Sequence, residues 1–245
     1  MKKLSLYLFV AVFVMLFAGC NSKMDPNDPQ SVRKEIAKQK IAFTPTQFVS
    51  YAAAGDIAKM TLFLQAAFEI DQPDNNGNNA VALVVNQGKT DVLKFLFEKG
   101  AKANVFNSKG EHVVDNAVVM GHYEVLQVLI DQLKKEEVEL VNITSAVIIA
   151  TKTGNTQALQ ILGEAGVPLH TRGADGYYPI HLAVKGGHYD AMMYLISKGV
   201  DLNSKCNQGY SVLDWAKNEG YSRLISALKK AGAKHTPAYI KEFGR

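Results

Sequence analysis

Catalysis needs a nucleophile beside a base, a pair of carboxylates, or metal ligands at a workable spacing. The 245-residue chain offers few starting points for any of these. His181 and His188 lie seven residues apart with Gly186-Gly187 between them. A zinc pair on one helix needs i and i+4, so these two rings, on either side of a glycine reversal, do not form one. The glycine pair is not a phosphate cradle either, because no strand-to-helix motif surrounds it. Lys134-Lys135-Glu136-Glu137 supplies acids and bases without an assembled pair. The two cysteines, Cys20 and Cys206, belong to no metal-ligand spacing. Cys206 is expected in a partly exposed loop, as either a bystander or a redox-responsive or intermolecular thiol. These residues predict no catalytic group, no metal and no cofactor; the rival is an enzyme with its site hidden between Leu133 and Ile143.

Composition narrows the classes further. The chain is 47% apolar and 20% charged, with a formal net charge of +4, two units of which come from Lys2 and Lys3. No basic stripe with interleaved aromatics stands out, which excludes a nucleic-acid footprint.

The elements that carry these residues are set by a repeat. Gly55, Gly88, Gly121, Gly154, Gly187 and Gly220 stand 33 residues apart throughout, a period that marks a stacked repeat. Other columns keep step. Five residues after each glycine come Met60, Leu93, Leu126, Leu159, Met192 and Ile225, and eight after come Phe63, Leu96, Leu129, Leu162, Leu195 and Leu228. A spacing of three puts both columns on one helix stripe that neighbouring repeats can bury. Four residues before the glycine stand Tyr51, Val84, Ala117, Ala150, Ala183 and Ala216, where the alanines let two antiparallel helices approach closely. The pattern predicts a short helix, a glycine reversal, a second helix and a glycine stop in each repeat.

One stretch shows the family. Asp175-Gly176 through Pro179-Ile180-His181-Leu182-Ala183, then Gly187-His188, Leu195-Ile196 and Gly199 to Asn203 resembles the ankyrin repeat pattern. Asp74 to Asn104 is similar through Gly77, Gly88, Leu96, Gly100-Ala101 and Asn104. The resemblance covers residues 43–234 and implies an all-α solenoid of about six helix-turn-helix units, with finger turns and first helices forming a concave binding face. It implies that His181 hydrogen-bonds within or between units. Partner contacts carried over by register are Asn76, Asn78, Lys109, Met120, Lys152, Asp175, Tyr177, Lys185, Tyr210 and Asn218, with Tyr177 and Tyr210 as stacked aromatic anchors.

The amino terminus carries a separate signal. Met1-Lys2-Lys3, the apolar stretch Leu4 to Phe17 and the small-residue end Ala18-Gly19-Cys20 read as an export signal, too short for a transmembrane helix. Cys20 after Ala-Gly resembles a bacterial lipobox, although Phe17 stands where leucine is usual. That resemblance implies a lipidated Cys20, and Asn21 after it implies the outer membrane facing the periplasm. The expected organisation is a signal peptide over 1–19, a lipidated tether over 20–27 and an N-terminal capping helix over 28–42. The array then fills 43–234 and a C-terminal cap 235–245. Arg33 on the capping helix is expected in solvent.

One irregularity is expected. Leu133 stands where most repeats have a helix-ending glycine and Ile143 where they have the finger glycine, so the helix from Tyr123 should run on to about Glu137 with a distorted finger. The site is either a decayed turn or a kink that shapes the partner surface. These readings predict a non-enzymatic, membrane-anchored module that binds a protein in the bacterial envelope; the alternatives are an immunity or inhibitor protein against an exported toxin, or an envelope enzyme.

Overall fold

The computed structural model describes residues 24–243, in which α-helices follow one another with one isolated antiparallel bridge, Phe106 to His112. The expected signal peptide, Cys20 and the start of the expected tether lie outside the described residues. The chain divides into two compact units, one ending at Ala101 and the other beginning at Lys102.

The first unit holds α1 (Pro29–Lys38), α2 (Pro45–Ala54), α3 (Ile57–Gln65), α4 (Ala80–Asn86) and α5 (Thr90–Glu98). Asp28 starts α1 because its carboxylate accepts from the Gln30 and Ser31 N–H groups while Pro29 takes the first helical position, where no N–H is needed. Val32 and Ile36, one turn apart, are buried, and α1 packs on α3. Arg33 is exposed, as its sequence context suggests, yet it is also bonded. Its Nε–H donates to the Ala66 carbonyl at 2.9 Å and its guanidinium sits 5.1 Å from the Phe43 ring centroid, so a charged side chain ties the cap down through its stem and fork. Behind it Phe48 stacks on Phe68 at 4.7 Å, and Tyr51 meets Phe63 edge-on at 5.7 Å. Tyr51 departs from the alanine column, and its ring packs against the aromatic cluster of the first repeat through Phe63.

The second unit holds α6 (Val113–Met120), α7 (Tyr123–Lys135), a 3₁₀ turn (Leu140–Ile143), α8 (Thr144–Lys152), α9 (Thr156–Ala165), α10 (Pro179–Lys185), α11 (Tyr189–Ser197), α12 (Val212–Asn218), α13 (Ser222–Lys230) and α14 (Pro237–Phe243). The first helices α6, α8, α10 and α12 pack in turn, as do the second helices α7, α9 and α11. Ala117, Ala150, Ala183 and Ala216 are fully buried between them, with Leu126, Leu129, Leu159, Leu162, Met192, Leu195 and Leu228. Each such large side chain contributes about 1.5–3 kcal/mol. In the last repeat Leu224 takes the buried place and Ile225 is half-buried.

The six ladder glycines all hold φ between +69° and +80°, the left-handed turn that a Cβ disfavours. The irregular repeat follows the same rule one turn late. Where Gly100, Gly166 and Gly199 end their helices with positive φ, Leu133 is helical and fully buried, and Glu137 supplies the left-handed residue at φ 56°. The added turn of α7 brings the Glu136 carboxylate to the Ala103 N–H at 2.9 and 3.1 Å. Ile143, fully buried, replaces the finger glycine, and the 3₁₀ turn replaces the finger.

Candidate interaction face

In the second unit the first helices end on Met120, Lys152, Lys185 and Asn218, all exposed. In the 33-residue register Val119, Lys152, Lys185 and Asn218 are equivalent, so successive packed helices present an apolar, a cationic, a cationic and an amide side chain. Val119 and Met120, adjacent in the chain, are 61% and 55% exposed and form an apolar spot at the end of α6. Neither Lys152 nor Lys185 has an acidic partner among the described residues. The Lys185 Nζ sits 5.0 Å from the Tyr177 ring centroid and 5.2 Å from that of Trp215, a double cation–π contact that orients the ammonium.

The fingers are built by carboxylate and amide caps. Asp175 Oδ1 accepts from the Tyr177 N–H at 3.2 Å, while the Asn207 side-chain amide donates to the Asp175 carbonyl at 2.9 Å. A Cβ on Gly176 would lie 2.6 Å from the Asn207 Cβ, so only glycine lets these two fingers touch. Lys109 is exposed, and its N–H donates to Asn107 Oδ1 at 2.8 Å. Asn76 and Asn78 belong to the first unit, where both N–H groups donate to Asp74 Oδ1 at 2.9 Å.

Two residues expected on the surface are not there. Tyr177 is only 7% exposed and packs with Leu182 and Cys206, against half-buried Ile148, Tyr210 and Trp215. It packs beneath the exposed ends of the first helices rather than standing on the surface. Cys206 is 3% exposed rather than partly exposed, and its Sγ accepts from the Trp215 Nε1–H at 3.4 Å, which makes it a small core residue. Asn218, though exposed, accepts from the Tyr239 hydroxyl at 3.2 Å and so also serves the last helix. Trp215 is the residue that sequence reasoning passed over. It stands at the register position of buried Leu182, and only its being the chain's single tryptophan could have flagged it.

The histidines are built into the fold. His181 is fully buried, and its Nε2–H donates to the Tyr210 carbonyl at 3.3 Å, leaving Nδ1 without a partner. Burial pushes its pKa down to about 4 against the raising influence of the Tyr210 and Ser204 backbone. His112 caps α6 by accepting from the Val114 N–H at 3.2 Å through Nδ1 and donating to Asn104 Oδ1 at 3.1 Å. His188 Nε2–H donates to the Lys152 carbonyl at 3.0 Å. His235 meets Asp214 Oδ1 at 2.8 Å. Burial alone would raise the Asp214 carboxyl, but bonds from Ser211, His235 and Thr236 hold it below the usual range. Glu136, the acid of the rival site, is taken up by the Ala103 N–H and Gln132. Among the described residues no three His, Cys, Asp or Glu cluster at a distance that could hold a metal ion.

Residues 49–142 and 147–238, more than half of the chain, match the family described as ankyrin repeats (3 copies). The chain belongs to the ankyrin repeat family. An ankyrin repeat domain from Acinetobacter baumannii AYE superposes with a TM-score of 0.68 at 22% identity, over 76% of this chain and 98% of that one. The ankyrin repeat domain of Bcl-3 gives 0.70 at 22% identity, over 78% and 87%. Among curated relatives, the transient receptor potential cation channel subfamily A member 1 of Homo sapiens is 31% identical over 156 residues. That match covers 62% of this chain but only 14% of the channel. The human NAD-capped RNA hydrolase NUDT12 is 32% identical over 100 residues, 40% of this chain and 21% of the hydrolase. The chain thus spans about a fifth or less of these relatives, and enzyme names among them come with partial matches to the repeats. Ankyrin repeats are protein-interaction domains, and the fold is that of a binding scaffold.

Proposed function

We propose that the protein is a lipid-anchored ankyrin module, non-enzymatic, that holds a protein partner at the bacterial envelope, with the anchor at Cys20 and the outer membrane facing the periplasm as its site. The observation that carries the binding reading is the row of exposed side chains on the first helices of the second unit, Val119, Met120, Lys152 and Lys185, the two lysines without an acidic partner among the described residues, bordered by Tyr210 and Trp215. A rigid aromatic edge beside exposed apolar and charged groups is the composition of a binding hot spot. The lipid reading rests on the apolar stretch and the Ala18-Gly19-Cys20 end. The partner is found by crosslinking in native envelopes with the full lipidated chain, followed by mass spectrometry. One partner should lose at least tenfold of its crosslink yield in a Met120→Ala, Tyr210→Ala, Trp215→Phe variant whose circular dichroism is unchanged. Unaltered yields for every captured protein would refute the assigned face.

A further inference from the structure

Resting on the binding reading above, we infer that the partner segment is extended and acidic, with two carboxylates three residues apart and an apolar residue three further along. The register dictates this pattern. Val119, Lys152 and Lys185 occupy equivalent positions at the ends of α6, α8 and α10, which pack in sequence. Packed helices lie about 8–10 Å apart. A polyproline-II segment rises about 3.1 Å per residue with three residues per turn, so every third side chain returns to the same side after about 9 Å. Such a segment laid across the helix ends sets one side chain on Val119 and Met120, the next on Lys152 and the third on Lys185.

The chemistry of those three stations is stated by their surroundings. Val119 and Met120 are exposed and apolar. Both ammonium groups lack acidic partners among the described residues, and Lys185 is already oriented over Tyr177 and Trp215, so less side-chain entropy is lost when a carboxylate arrives. The acids at the margins are engaged elsewhere. The Asp115 carboxyl accepts from the Ser145 hydroxyl at 2.9 Å and Asp175 Oδ1 from the Tyr177 N–H, and neither forms an ion pair with Lys152 or Lys185 among the described residues. Glu219, exposed after α12, stands in the register of Gly186 and repels a third acid beyond Lys185, which limits the run to two.

A random dodecapeptide library displayed on phage, selected against the full chain in detergent micelles, tests the pattern. Enriched peptides should share two carboxylates three apart with an apolar residue three further, in either chain direction. A synthetic peptide of the winning sequence should bind at least tenfold more weakly to Lys152→Glu or Lys185→Glu. A version with lysines in place of its acids should recover binding to the doubly reversed variant. Winners without paired carboxylates that still compete for the face overturn the acidic assignment while leaving the binding reading standing. If nothing is enriched, the same charge reversals are applied to the crosslinked native partner, and an unchanged yield overturns the assignment. If no partner is crosslinked at all, the binding reading itself falls.

Discussion

A methyl group on Gly154 would meet the His188 ring 2.5 Å from its Nδ1, while the same group on Gly220 meets nothing within 4 Å. Both glycines hold φ near +70°. Gly220→Ala therefore pays only for the left-handed backbone, about 1 kcal/mol, whereas Gly154→Ala adds a collision and the loss of the His188–Lys152 bond, about 2–3 kcal/mol in all. Urea denaturation of the two variants should show that order; equal midpoints would mean the ring swings away freely. His181 makes a pH prediction. Its native pKa of about 4 lies below the unfolded value near 6.5, so the unfolded chain binds the proton first as pH falls. Its contribution is complete above pH 6.5 and is lost progressively between about 6.5 and 4, by up to about 3 kcal/mol. Denaturation at pH 7 and 4.5 should show that slope, and His181→Asn should flatten it.

At the level of elements, stability hangs on a few carboxylates that answer backbone N–H groups. Glu136, placed by the added turn of α7, satisfies the N–H of fully buried Ala103. Glu136→Ala should cost about 2 kcal/mol by leaving that donor unpaired, and Glu136→Gln, which keeps an acceptor, less. Thermal unfolding checks the order, and loss of any enzymatic activity in the alanine variant would be explained by this structural role first. Asp214 does the same for the last helix. Its carboxylate accepts from the Ser211 and Thr236 N–H groups and from His235, and Thr236 in turn caps α14 by accepting from the Tyr239 N–H at 3.2 Å. Asp214→Ala should cost about 3 kcal/mol and raise amide hydrogen exchange in Pro237–Phe243 before any other helix. Protection in α14 equal to wild type would show that the aromatic contacts of Tyr239 hold the helix without the network.

For the whole molecule the proposed lipid anchor is the reading to test at the first twenty residues. Acyl chains contribute about 0.8 kcal/mol per buried methylene, so two or three of them on Cys20 would give stable membrane attachment. Cys20→Ala should abolish labelling by a palmitate analogue and leave the apolar leader attached, seen as a higher apparent mass; labelling retained by the variant would reject the lipid anchor. The all-α ankyrin architecture was legible without coordinates because each repeat must bury the same stripe against its neighbour, which forces glycine, alanine and leucine to recur at a period of 33. The overrun of α7 was legible for the same reason, since a missing glycine cannot stop a helix. What the linear pattern did not determine is which side chains inside that scheme stay on the surface. Tyr177 and Cys206 sank into the packing beneath Trp215, Arg33 bonded the first unit, and Lys185 settled over two rings, because such contacts depend on residues about 30 apart meeting at distances that register alone does not set. Tertiary structure alone decided that Lys185 lies over an aromatic floor and that neither it nor Lys152 meets an acid among the described residues, since burial and pairing are properties of neighbours in space.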